Sequence, residues 1–272
     1  MLEKIVYYED ELNDEFSGDD ITPRVIDENY KYITNGFFKK LTHLFWYRVV
    51  ANPLAHIYLF IKFRHKIINK RVIKNNKEPY FLIGNHTQAL ADALIPTMIT
   101  GWKDCYIITN SNNVSVKGIG NVAHSLGALP LPDNMGATKN FTRAIKYHID
   151  KKHKICIYPE AHIWPYCTMI RNYKDSSFRY PVEYNVPTYT FVNVYKRRGK
   201  NKVRLHTYVD GPFYPDSGLS KAEARLNLRD KCYNQMVERS KLNEVTVIRY
   251  EKKENLWLIF FIVVIAMCLM VY

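Results

Sequence analysis

Tyr80–Ala93 reads YFLIGNHTQALADA, and the change of texture inside it decides the fold. The apolar run up to Gly84 has the composition of a buried strand, the Asn85-His86 pair interrupts it, and from about Gln88 the residues favour helix. The same alternation recurs downstream. CYIITN precedes a helix near Gly118–Leu126, ALPLP precedes a helix over Ala137–Ile149, and KICIYPE, VPTYTFVNVY and KVRLHTYVDG follow. A last helix over Ser220–Lys241 opens with Ser220 and Glu223, spaced as a capping box. Strands alternating with helices predict an α/β domain over residues 77–250, with a mostly parallel sheet flanked by helices.

In such sheets catalytic groups sit past the carboxyl ends of strands. His86 occupies that place, and Asp92 follows it. An imidazole titrates near neutral pH, and a carboxylate can fix its tautomer and stabilise the imidazolium formed on proton uptake. The pair is therefore a candidate general base with its orienting partner. Six residues of regular helix rotate by about 600°, leaving the two side chains some 120° apart. They meet only if His86 lies in the turn before the helix and folds back. The competing reading is a strand-end histidine that caps the helix.

A second constellation is Ile155–Trp164, ICIYPEAHIW, where a strand ends in Pro159-Glu160. If this strand lies parallel to the one before His86, Glu160 shares the His86 edge and is suited to hold a polyol hydroxyl, the alternative being a surface glutamate. A third is Arg171–Arg179, RNYKDSSFR, whose cations and hydroxyls suit a phosphate or simply a solvated loop. There is no G-x-S-x-G nucleophile elbow, no P-loop and no complete dinucleotide glycine fingerprint. The five cysteines are scattered without a C-x-x-C pair, so free thiols in a reducing setting are expected and a zinc site is not.

Charge and hydropathy place this domain at a membrane. The net charge is +13, yet residues 1–30 hold ten acids and two bases, so residues 1–35 form an acidic N-terminal arm. From Asn29 through Lys77 there are eleven Lys/Arg and no Asp or Glu, a block that attracts polyanions. Within it, residues 36–76 are basic, amphipathic and aromatic. Pro53 is expected to break them into a pair of interfacial helices, each too short to span a bilayer, the alternative being two ordinary amphipathic core helices. Leu256 to Tyr272, LWLIFFIVVIAMCLMVY, carries no charge and is expected to make a helix of roughly 25 Å, a C-terminal single transmembrane anchor, the alternative being a buried core helix. Arg249, Lys252 and Lys253 just before it favour a cytoplasmic position for the domain. The bases cluster beside apolar aromatic helices, so a lipid bilayer, and not nucleic acid, is the expected partner.

Together these blocks resemble the PlsC-like glycerolipid acyltransferase family over roughly Tyr80 to Met236. Asn85-His86…Asp92 is similar to that family's first block and Gly127-Ala-Leu-Pro-Leu-Pro-Asp133 approximates the second. Tyr158-Pro159-Glu160-Ala161 is similar to the third and Val186-Pro187 to the fourth, with Tyr173-Lys174 where a Phe-Lys pair is common. Three departures stand out. Five residues separate His86 from Asp92 where four are usual, Asp133 replaces a phosphate-binding Arg, and Ala161 replaces Gly.

The resemblance implies an O-acyltransferase of phospholipid biosynthesis. Its acyl donor is acyl-CoA or acyl carrier protein, used as a co-substrate with no further cofactor and no metal. Its acceptor is a lysophospholipid such as 1-acylglycerol-3-phosphate. His86 and Asp92 are then catalytic, and Asn85, Glu160, Arg171, Lys174 and Arg179 bind substrate, with backbone N–H groups after His86 facing the oxyanion. The rival readings are a membrane-tethered thioesterase or esterase, in which water replaces the alcohol, and a non-catalytic lipid-binding protein of the same fold.

Overall fold

The computed structural model describes residues 4–17, 22–33, 36–101, 104–115, 120–200 and 202–253. The expected anchor over 256–272 lies outside the described residues. In chain order the strands are β1 (Lys4–Tyr8), β2 (Lys66–Ile68), β3 (Tyr80–Gly84), β4 (Cys105–Thr109), β5 (Ala128–Pro130), β6 (Lys154–Ile157), β7 (Thr188–Arg198), β8 (Lys202–Phe213) and β9 (Ile248–Lys252). The α-helices are α1 (Phe37–Leu44), α2 (Asn52–Phe63), α3 (Arg71–Lys74), α4 (Ala89–Thr100), α5 (Gly120–Ser125), α6 (Met135–Asp150), α7 (Arg179–Glu183) and α8 (Lys221–Ser240).

Seven strands form one sheet in the order β2-β8-β7-β3-β6-β4-β5. All neighbours pair parallel except β7 with β8, so the sheet is mostly parallel. β3 lies near its middle and is buried throughout. Successive side chains of a strand point to opposite faces. Phe81 and Ile83 accordingly join one core with Phe141 and Ile145 of α6 and Leu228 and Met236 of α8. Tyr80 and Leu82 join the other, with Ala55 and Leu59 of α2 and Ile95 and Ile99 of α4. Gly84 has a packing reason to be glycine, because a Cβ there would meet the Phe191 ring at 2.1 Å. α8 starts at the expected capping box, with Ser220 and Glu223 exchanging hydrogen bonds.

Pro53 does not break the basic segment into two helices. α1 runs through a π-helical stretch, Phe45–Ala51, directly into α2, and Pro53 occupies the first turn of α2. The wider π turn accommodates a ring that would clash with the carbonyl four residues back in a regular helix. Within this continuous rod, Leu41–Phe63 is 23 residues long and apolar enough to cross a membrane. Tyr47, Ala55, Leu59 and Phe63 are buried against the α/β body, whereas Leu44, Phe45, Val49, Ile57 and Ile61 are exposed.

The acidic arm is tied down at both ends. β1 pairs in parallel with β9, a two-stranded sheet separate from the main one. Further on, Asp133 accepts the Ile26 N–H at 2.7 Å and returns its own N–H to the Ile26 carbonyl. Asp133, unexpected as a phosphate ligand, thus holds the arm against the body.

Candidate active site

β3, β6 and β7 run parallel, so the chain emerging from each reaches the same edge of the sheet. Residues after β3 leave the sheet in extended conformation and α4 begins only at Ala89, with Gln88 as its N-cap. The residue in excess of the usual spacing is absorbed in this non-helical turn. Asp92, in the first turn of α4, folds back over it. Its Oδ2 accepts from Thr87 N–H at 2.7 Å and Gln88 N–H at 2.8 Å, and lies 2.8 Å from His86 Nδ1. Its Oδ1 accepts from Asn193 Nδ2 at 3.0 Å. A carboxylate at a helix N-terminus, bonded to two backbone N–H groups, is fixed in orientation. With Nδ1 directed at Asp92, the His86 proton on that nitrogen is donated to the carboxylate and Nε2 becomes the basic atom. The His86 side chain is 17% exposed and that of Asp92 1%, so of the pair the imidazole alone opens to the surface. The Tyr158 ring stacks on it at 4.4 Å.

Three residues expected to touch substrate are buried inside the protein. Asn85 is buried, accepting the Asn193 N–H at 2.8 Å and donating to the Asn193 carbonyl at 3.3 Å, which clamps the end of β3 to β7. Glu160 is buried as well. Its carboxylate accepts from the N–H groups of His86 (3.1 Å) and Arg171 (3.2 Å) and from the Arg171 guanidinium at 3.2 Å. Burial pushes the Glu160 carboxyl up, opposed by Arg171 and the two N–H donors. Arg171 is fully buried, bonded also to the His162 carbonyl and set over the Trp164 ring at 4.6 Å. Its Nε and Nη1 are buried without a hydrogen-bond partner among the described residues. Glu160 does share the His86 edge, but it fixes the histidine backbone. Ala161, beside it, has φ +62°, the left-handed conformation that favours glycine.

Lys174 and Arg179 are exposed, neither bonded to His86 or Asp92. Lys174 precedes a 3-10 turn, and Arg179 faces Glu183 at 3.6 Å in a separate small pocket with Lys221 and Arg225. Of the backbone N–H groups after His86, those of Thr87 and Gln88 are taken by Asp92. Among the described residues no group of three or more His, Cys, Asp or Glu is placed to hold a metal ion. Cys105, Cys156, Cys167 and Cys232 are buried free thiols.

Other members of the constellation escaped the sequence reading. Asn193 orients Asp92, and its own Oδ1 accepts from Thr207 Oγ1 at 2.6 Å, which meets His65 Nε2 at 2.8 Å. Tyr195 donates to Thr87 Oγ1 at 2.9 Å and receives Gln88 Nε2 at 2.9 Å. The signal for Asn193 was present, since a polar residue inside the apolar run TYTFVNVY has to find a partner. The 160–172 loop returns across the turn, with Trp164 N–H on the His86 carbonyl and Tyr166 N–H on that of Thr87. The acidic arm covers this loop in turn. Trp164 Nε1 donates to the Asp14 carbonyl at 2.8 Å, Glu15 lies 3.5 Å from His162, and the Asn172 N–H donates to Glu11 at 2.8 Å.

No curated protein matches the chain. Among solved structures it is similar to the 1-acyl-sn-glycerophosphate (LPA) acyltransferase PlsC from Thermotoga maritima, with 17% identity, 76% of this chain and 81% of that chain covered, and a TM-score of 0.48. Residues 64–194 match the family model described as Acyltransferase, a stretch that includes His86, Asp92, Glu160 and Asn193. Over residues 64–194, then, the chain is similar to the acyltransferase family.

Proposed function

We propose that this protein is a membrane-seated O-acyltransferase that moves a fatty acyl group from an acyl thioester, acyl-CoA or acyl carrier protein, to a hydroxyl of a lysophospholipid. The observation that carries the reading is the 2.8 Å contact between His86 Nδ1 and a buried Asp92 on the acyltransferase-family domain. Nε2 takes the proton of the acceptor hydroxyl as its oxygen attacks the thioester carbonyl carbon. The carbon–sulfur bond then breaks, and the leaving thiolate takes up the proton held by the imidazolium. Asp92 holds the imidazole in the required tautomer and stabilises its charged form. The N–H groups of the first α4 turn, from Ala89 to Ala91, are the oxyanion donors left by Asp92.

Asn85, Glu160 and Arg171 act by holding the turn. Lys174, three residues after the buried Arg171, is the exposed cation for an acceptor phosphate. The Phe37–Phe63 rod rests its buried face on the domain and its apolar face in the cytoplasmic leaflet, so both lipids reach the site from the bilayer. The test offers a panel of lysolipids with labelled acyl donor to protein in detergent. Labelled diacyl lipid supports the reading. Labelled free fatty acid, formed at the same rate with or without acceptor, means that water is the acceptor and contradicts it.

A further inference from the structure

A cleft of about 970 Å³ lies between α1 and the β4–β5 side of the sheet, and none of its lining residues belongs to the His86 constellation. Strand register gives the separation. Tyr80, Lys154 and Cys105 are level across β3, β6 and β4. Asp104 and His153 therefore lie at the amino edge, while His86 follows the carboxyl end of β3. Seven residues at ~3.3 Å each put the two places roughly 20 Å apart.

We propose that this cleft is a second lipid site, which takes the phosphate head group of an anionic phospholipid while its acyl chain lies along Phe37, Leu41 and Leu44. The charge of the lining is one-sided. Asp104 is the only acid among the described residues that line it, and that carboxylate is already bonded to Arg48 at 2.9 Å, with His43 and His153 at 3.7 and 3.9 Å. Three further cations, Arg24, Lys31 and Lys151, are exposed at the cleft and make no ion pair among the described residues. A clustered excess of positive charge over an apolar wall suits a phosphate with an attached hydrocarbon chain.

Deeper in, His148 is buried, and its Nε2 has no hydrogen-bond partner. Its Nδ1 lies 3.0 Å from His153 Nδ1. In the tautomer where His148 accepts that bond, Nε2 carries the proton, a buried donor left for an acceptor such as a phosphate oxygen. Phe37, Leu41 and Leu44 are exposed on the rod that carries the apolar face. A lipid thus enters the cleft without leaving the bilayer.

The proposal rests on the membrane seating of that rod and is independent of catalysis. Its test uses full-length delipidated protein in neutral detergent, with phosphatidylglycerol and phosphatidylcholine as competing probes and bound lipid counted by native mass spectrometry. The expected result is retention of phosphatidylglycerol, lowered about tenfold or more in Arg24→Glu/Lys151→Glu. His86→Ala and the charge-matched control Lys202→Glu/Lys221→Glu should retain it unchanged. Equal loss in the control, no preference between the two lipids, or displacement by inorganic phosphate at the lipid's own concentration would each overturn the assignment. The replaced residues are exposed, and an unchanged melting temperature verifies folding. Flotation on phosphatidylcholine vesicles reads the membrane seating separately, so its failure is distinguishable from failure of the head-group site.

Discussion

The two edges of the sheet each set histidine beside aspartate, and they do it in opposite ways. At the carboxyl edge every hydrogen bond of the Asp92 carboxylate serves one geometry: two backbone N–H groups, Asn193 and the Nδ1 of a single imidazole. At the amino edge Asp104 bonds Arg48 and sits within 4 Å of two imidazoles, in an open cleft. Burial alone would raise the Asp104 carboxyl, but hydrogen bonds from His43 and Arg48 outweigh it and bring it down to about 2. Proximity of the same two residue types does not make a base. Acid–base chemistry needs one fixed partner on one nitrogen and an open position on the other, whereas shared pairing neutralises the acid and leaves a basic cleft for a ligand.

The largest expected effect breaks this contrast directly. Asp92→Asn should lower kcat by about 10²–10⁴, because an amide neither fixes the tautomer nor stabilises the imidazolium. Asp104→Asn should leave kcat within about twofold, as separated sites act independently. Comparable losses in both variants, read in steady-state kinetics, would erase the distinction.

Acid should come next. Burial, and then His206, brings His65 down to about 4, and burial, and then His153, brings His148 down to about 3. Both values lie below that of free histidine, so between them and about 6.5 the unfolded chain binds more protons than the folded one. Stability is therefore present above pH 6.5 and lost as pH falls towards 4, by an amount on the order of a few kcal/mol. A flat melting temperature from pH 7 to 4.5 would contradict the buried neutral state of both rings.

The smallest effect sharpens the account of the carboxyl edge. Asn193→Ala removes the donor to Asp92 Oδ1 and the acceptor for Thr207. It should cost about 1–3 kcal/mol in denaturant unfolding and lower kcat about tenfold with KM little changed. A loss of stability with unaltered kcat would make Asn193 a packing residue alone.

Much of this was legible in the sequence. The strand-then-helix texture of Tyr80–Ala93 and its repeats announced the mostly parallel sheet, because buried parallel strands must be continuously apolar. His86, Asp92 and Glu160 were found on one edge because strand ends in such sheets converge there. Their roles were less legible. Whether Glu160 and Arg171 face a ligand or each other depends on the path of the 160–172 loop, which has no periodicity to read. The continuity of the rod across Pro53 rests on a π-helical stretch without a sequence signature. The acidic arm, opaque as composition, acquires a place through β1, Glu11, Asp14 and Glu15.

The most direct test is the single-turnover rate of labelled acyl transfer to a lysophospholipid by His86→Ala beside the unaltered protein, both in the same detergent. The account predicts a loss of at least about 10²-fold with an unchanged melting temperature, since Nε2 of this ring is the base. A folded His86→Ala protein that transfers the acyl group at a near-normal rate would contradict it.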